Sequence, residues 1–185
     1  MTLNFEVTGR YEVILIDPPW SYYGDQKKMA AAAKFYPLMT DEEIKALPVR
    51  NWLEPGHVVF LWTTASKMGL AYRCIEEWKL QERGIQFVWV KTKKDGVTPV
   101  GAQGVRPSIV KPVTEFVLAA SVKKKGRPLP VADEGVRQVV LAAKGAHSVK
   151  PEAVQDRIDQ LYPGLRKAEL FARRDRPGWD CYSDH

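Results

Sequence analysis

The chain has 185 residues, 45% of them hydrophobic and 27% charged, with a net charge of +6. That size and balance predict one soluble globular domain, residues 1–185, around a sizeable core. No apolar run approaches the length of a membrane span, residues 1–10 carry no signal-peptide pattern, and Cys74 and Cys181 are too few for a disulfide framework. A cytoplasmic protein without membrane contact is therefore expected. His57, His147 and His185 are scattered along the chain, and no structural metal is expected. The positive charge is uneven: residues 1–60 hold 6 Lys/Arg against 8 Asp/Glu, residues 61–119 hold 9 against 5, and residues 120–185 hold 13 against 9. A basic excess of that kind is the footprint of a nucleic-acid partner, or simply solubilising charge.

Residues 13–16 form a short, β-branched apolar run halted by Pro18 and Pro19, which predicts a strand buried on both faces. Asp17 then stands at the rim of a sheet, where ligands bind in open α/β folds. The two prolines lack N–H groups and stiffen the turn, leaving one carboxylate and several carbonyls as acceptors. Trp20 adds a flat aromatic wall. The guest this suits is a flat ring with an exocyclic amine. Asp17 and the Pro18 carbonyl can accept both N–H hydrogens, freeing the nitrogen lone pair for attack. The plainer reading is a proline turn that ends a strand.

Residues 21–38 interleave aromatics with lysines: Tyr22, Tyr23, Lys27, Lys28, Lys34, Phe35 and Tyr36. They suit stacking on a base and gripping phosphates, or pinning a loop to the core. Residues 30–33 predict a short helix. Thr40 and Glu43 form a capping box that starts another. Residues 57–62 predict a second buried strand. Ser66 caps a helix with Met68, Ala71, Tyr72, Ile75 and Trp78 on its apolar stripe, ended by Gly84. Residues 85–91 predict a third strand.

Residues 91–111 predict a long functional loop carrying Lys93, Lys94, Arg106 and Lys111. Residues 114–122 predict a fourth strand, followed by Lys123, Lys124, Lys125 and Arg127, which are phosphate contacts or a solvated turn. If the sheet is mostly parallel, both basic segments flank the Asp17 pocket. Residues 137–142 predict a further strand. Lys150 and Pro151 open a helix with Val154, Ile158 and Leu161 on one face, Pro151 taking the first helical position. A lysine is disfavoured at a helix N-terminus, so Lys150 predicts an anionic partner. Residues 167–173 predict the last strong strand.

Two motifs carry a family resemblance. One is the tetrapeptide Asp17, Pro18, Pro19, Trp20; the other is Glu169, Leu170, Phe171 and Arg173, followed by Asp175, Gly178 and Trp179. Together they resemble the MT-A seventy-kilodalton family of adenine-N6 methyltransferases, over nearly the whole chain from Tyr11. The resemblance implies a three-layer, Rossmann-like, mostly parallel α/β sheet, circularly permuted so that the catalytic strand precedes the cofactor strand. It implies S-adenosyl-L-methionine as cofactor, bound around Asp17, Lys150, Glu169, Phe171, Arg173, Asp175, Asp184 and His185, with Lys150 on its carboxylate. Many relatives have a Gly-Asn followed by Gln or Glu where this chain has Ser183, Asp184 and His185. The implied reaction is methylation of adenine N6 in DNA, of the phage or bacterial type. The same reaction on RNA, and a non-catalytic nucleic-acid-binding subunit, are the alternatives. A homodimer or a partner subunit is compatible with it. The nucleic acid is then expected on Tyr22, Tyr23, Lys93, Lys94, Arg106, Lys123, Lys124, Lys125 and Arg127.

Overall fold

The computed structural model describes residues 5–21, 39–101, 109–145 and 149–183. Tyr22, Tyr23, Arg106, Asp184 and His185, and the short helix expected at residues 30–33, lie outside these. A seven-stranded mixed sheet runs through the described residues. Its strands are β1 (Tyr11–Ile16), β2 (Leu53–Thr63), β3 (Gln81–Thr92), β4 (Thr114–Ser121), β5 (Val139–Ala143), β6 (Lys167–Leu170) and β7 (Trp179–Tyr182), in the order β5-β3-β4-β2-β1-β6-β7. β1 is paired on both edges, with β2 and with β6, and both pairs are parallel. That burial explains its continuous apolar run.

β4 is the exception in direction. It pairs antiparallel with β2 and with β3, while β3–β5 and β6–β7 are parallel. The carboxyl ends of the other six strands therefore share one edge, and β4 ends at the opposite one.

Period-two alternation sends neighbouring residues of β1 to opposite faces. Ile14 and Ile16 join a core with helix α1 (Asp41–Lys45) and helix α2 (Met68–Glu77), through Ile44, Leu70, Ala71, Cys74 and Ile75. Val13 and Leu15 join a second core with helix α3 (Glu152–Leu161), through Val154 and Ile158. Helices thus cover both faces.

The Thr40–Glu43 capping box forms as the sequence predicts. Helix α2 differs: Lys67 is its N-cap, and Ser66 lies in a preceding 3₁₀ turn. Tyr72 is exposed rather than part of the buried stripe. The helix is left through Lys79 at φ +56°, whereas Gly84 (φ +73°) sits inside β3, where a register shift bends the strand. Pro151 is the N-cap of α3 instead of its first helical residue. No helix of the described residues is long and apolar enough to cross a membrane, and none of their His, Cys, Asp and Glu residues group as a metal site.

Candidate active site at the end of β1

The chain first builds β2, β3, β4 and β5 on one side of β1, then crosses through α3 to build β6 and β7 on the other. The strand order therefore switches direction between β1 and β6. In open α/β sheets that crevice, outside the carboxyl ends of the strands, is the ligand site. Asp17 leaves β1 there, and its N–H donates to the Leu170 carbonyl at 3.3 Å. Phe171 leaves β6 beside it.

Asp17 is buried and paired with Lys150, whose Nζ lies 3.0 Å from Asp17 Oδ1 and 3.3 Å from Glu115 Oε2. Glu115 is shared with Lys91, 2.6 Å away. Two lysines and two carboxylates thus alternate in one cluster. Aromatic faces support both cations: Lys150 lies over the Trp62 ring and Lys91 over the Trp89 ring. The anionic partner predicted for Lys150 is thereby supplied by the chain's own carboxylates. Burial holds the Asp17 carboxyl above its ordinary value, with Lys150 and Arg173 opposing the rise only in part and Glu115 adding to it. The Glu115 carboxyl is burdened by burial but held low overall by Lys150 and Lys91. The Lys150 ammonium, though desolvated, is held charged by Asp17 and Glu115.

The proline turn is fixed by its own hydrogen bonds. Trp20 N–H donates to the Pro18 carbonyl at 2.8 Å, and Met39 N–H to the Pro19 carbonyl at 3.3 Å. Each carbonyl oxygen has a second lone pair, so Pro18 can still accept from a guest. Trp20 differs from its expected place as a pocket wall. It is buried in the core, and its indole N–H donates to the Trp62 carbonyl at 3.1 Å. A large apolar ring that can satisfy its one donor internally gains more from burial than from exposure.

Phe171 is buried with φ +62°, a conformation that costs a bulky residue of the order of 1–3 kcal/mol. Strain of this kind collects where a chain must be redirected at a site. Arg173 is close enough to act on Asp17, whereas Asp175 is exposed. The neighbouring Trp179, by contrast, is held structurally. Its indole N–H and the Arg176 guanidinium both donate to Asp159 of α3, at 3.0 Å and 2.8 Å.

Glu169 is buried on β6, and its Oε2 accepts from the Gln155 side-chain amide at 2.5 Å. The Gln155 oxygen accepts in turn from Arg174, which also donates to the Lys150 carbonyl. Burial, and then the charge of Asp17, pushes the Glu169 carboxyl up to about 7. The ordinary value is 4.5, so between the two the folded state holds a proton that the unfolded state has lost. Stability from this group is therefore lost as pH rises through that window. Glu169→Gln should remove the decline and gain on the order of 3 kcal/mol over the parent above neutrality. Denaturant unfolding at about pH 5 and about pH 8 checks it. A variant shifted equally at both would show that another group titrates.

The basic segments separate. Lys93 and Lys94 follow β3 at the Asp17 edge, and both are exposed. Lys123, Lys124, Lys125 and Arg127 follow β4, whose antiparallel direction carries them to the opposite edge. There Lys123 Nζ donates to the Arg127 carbonyl, Arg127 pairs with Glu134, and Arg83 donates to the Gly126 carbonyl. They do not flank the Asp17 pocket. Each lost phosphate contact lowers the slope of log affinity against log salt by roughly one unit. Alanine at Lys93 and Lys94 should therefore flatten the salt dependence of nucleic-acid binding by up to about two units. Alanine at Lys123, Lys124 and Lys125 should leave it unchanged. A reversed result would place the nucleic acid across the far edge.

The MT-A70 family profile matches residues 11–185. The chain belongs to the MT-A70 family. It is 32% identical to the type II methyltransferase M.MunI of a Mycoplasma species, over 92% of this chain and 76% of that protein. It is also 32% identical to an N(6)-adenosine-methyltransferase MT-A70-like protein of Drosophila melanogaster, and 29% identical to the N(6)-adenosine-methyltransferase catalytic subunit of Homo sapiens. Each of those alignments covers 96% of this chain, but the chain spans only 27% and 28% of their lengths. MT-A70 methyltransferases use S-adenosylmethionine as methyl donor.

That donor carries a sulfonium, an ammonium and a carboxylate, and the crevice offers opposite charges for them. Asp17 and Glu169 are buried acids suited to cationic groups, and Lys150 is a cation at the start of α3 suited to a carboxylate. The residues present therefore fit the cofactor of the family. Glu115, Lys91, Trp62 and Gln155 complete the cluster, and none is part of either sequence motif.

Proposed function

We propose that the chain is an S-adenosylmethionine-dependent methyltransferase acting on the N6 amine of adenine in DNA, with residues 1–185 as one methyltransferase domain. The observation that carries this reading is a buried Asp17 at the β1–β6 switch point, charge-balanced by Lys150. The family match supports the reaction, and the likeness to the bacterial type II methyltransferase, extensive in both chains, favours DNA. The order of β1 before β6 in the chain supports a permuted arrangement, with β1 as catalytic strand and β6 as cofactor strand.

The cofactor supplies an electrophilic methyl group on a sulfonium. The Asp17 carboxylate and the Pro18 carbonyl accept the two N–H hydrogens of the adenine amine, turning its lone pair toward that methyl. Lys150 opposes the upward push of burial on the Asp17 carboxyl and so favours the ionised form that accepts. As the bond from N6 to the methyl formed, the sulfonium–methyl bond would break to leave a neutral thioether, and the nitrogen would shed one proton toward Asp17, the nearest acceptor in this arrangement. Lys150, Glu169, Phe171 and Arg173 bind and orient the cofactor. The adenine reaches Asp17 only from a single strand or after leaving its duplex.

The eukaryotic relatives are named for adenosine, which makes RNA the competing substrate. Matched DNA and RNA oligonucleotides with labelled methyl donor separate the two. Label in DNA alone or in strong excess is expected, and label confined to RNA would reassign the substrate.

A further inference from the structure

At the sheet edge opposite Asp17, where β3 begins and β4 ends, a cavity of about 280 Å³ opens on the α3 face. Ligand pockets begin at roughly 300 Å³, so this one suits a small guest. Its floor is apolar. Val58 and Phe60 of β2 line it with Ala119 of β4, which stands directly across from Phe60. A small residue opposite a large one leaves the space above it open.

Cationic donors stand around that floor. Arg83 and Gln86 line the cavity from a bulged part of β3, where the register shifts on either side of Ile85 and Gly84 takes φ +73°. Bulges of this kind re-aim side chains. Arg83 Nε donates to Ser121 Oγ at 3.1 Å and its Nη1 to the Gly126 carbonyl at 3.0 Å, tying the turn after β4 to β3. Its Nη2 is buried without a hydrogen-bond partner, and Arg83 makes no ion pair among the described residues. A buried cationic donor without an acceptor calls for an anion.

Tyr162, the C-cap of α3, also lines the cavity and is only 6% exposed, with Phe60 against its ring. Its hydroxyl has no hydrogen-bond partner among the described residues, although a buried tyrosine hydroxyl usually finds one. Burial pushes this phenol up, and the charge opposing the rise is Arg127, another residue of the cavity. Arg127 gives Nη1 to Glu134 and keeps further donors. Lys124 and Lys125, both exposed, add positive charge to the same turn. The end of α3 presents no bare carbonyl at Leu161, which accepts from the Ala132 N–H at 2.9 Å.

We propose that this cavity is a second ligand site, for a small organic carboxylate with an apolar body. The body lies over Val58, Phe60 and Ala119. The carboxylate accepts from the Tyr162 hydroxyl and the Arg127 guanidinium, beside the uncompensated charge of Arg83. The site is separate from the Asp17 crevice. Lys150 precedes α3 beside Asp17 and Tyr162 closes the helix, so its ten residues, about 15 Å, lie between the two.

The test uses the full chain and calorimetric titration with benzoate, beside neutral benzyl alcohol. Benzoate should bind saturably, and benzyl alcohol at least about tenfold more weakly, because it offers no charged acceptor. Tyr162→Phe keeps the ring on Phe60 and should weaken benzoate at least about tenfold, the usual loss for a hydrogen bond to a charged group. Ala119→Leu fills the cavity and should abolish binding; melting temperatures show whether each variant is folded, and Tyr162→Phe decides the matter alone if Ala119→Leu is not. Saturating S-adenosylmethionine should leave the benzoate affinity within about twofold, since uncoupled sites do not alter each other's affinity. Absence of saturable benzoate binding, or equal affinity of the parent and Tyr162→Phe, would overturn the site. Displacement of benzoate by S-adenosylmethionine would also overturn it, by placing the carboxylate at Lys150. The readout is binding, so each outcome holds whichever nucleic acid is methylated.

Discussion

Replacing Asp17 by Ala will abolish measurable methyl transfer to adenine and leave a folded protein. Asp17 carries the carboxyl group of the proline turn, at the end of a strand that neighbours hold on both edges. Losing one preorganised electrostatic partner typically costs 10²–10³ in rate, roughly 2.7–4 kcal/mol of barrier. The fold survives because Lys150 is not orphaned: Glu115 Oε2 lies 3.3 Å from it. Asp17→Asn keeps an acceptor oxygen but loses the charge, and should fall between Ala and the parent. Single-turnover rates beside circular dichroism check both points. Near-normal turnover in either variant would remove Asp17 from the chemistry.

Lys150→Met should cost both stability and activity. It leaves Asp17 buried without its cation, whereas Glu115 keeps Lys91 at 2.6 Å. Breaking a buried pair by removing one partner costs about 3–5 kcal/mol. The kinetic signature is more telling than the loss. Lys150 lowers the Asp17 carboxyl against the upward push of burial, so without it the carboxyl rises further. A carboxyl that rises is protonated over more of the pH range and cannot accept. The acid limb of the rate profile should move to higher pH, with partial recovery in alkaline buffer. An unmoved limb with a raised cofactor KM would confine Lys150 to cofactor binding.

The Asp17 turn is legible in the sequence because its causes are local. An apolar β-branched run needs burial, and two prolines fix the turn at its end. The direction of β4 is not local. Its eight residues read the same in either orientation. The connection before it is long enough for a parallel crossover, which needs a dozen residues or more. That one reversal puts Lys123 at the far edge, while Lys93, after β3, stays at the Asp17 edge. The charged cluster was hidden for a related reason. Glu115 looks like a solvated strand residue until the register sets it opposite Trp89, two residues from Lys91. Gln155 reads as a helix surface residue, yet it is 3% exposed because Glu169 and Arg174 satisfy both ends of its amide. Trp20 shows the limit of reading a motif by residue type. The same ring serves as wall or core, depending on whether a carbonyl lies within reach of its N–H.

The position of the transferred methyl group tests the central claim most directly. Genomic DNA incubated with the protein and labelled S-adenosylmethionine, then digested to nucleosides and resolved by mass spectrometry, should carry the label in N6-methyl-2′-deoxyadenosine, and Asp17→Ala should leave that peak at background. Label on a cytosine amine or a ring carbon, or an N6-methyl peak that survives the Asp17 substitution, would contradict it.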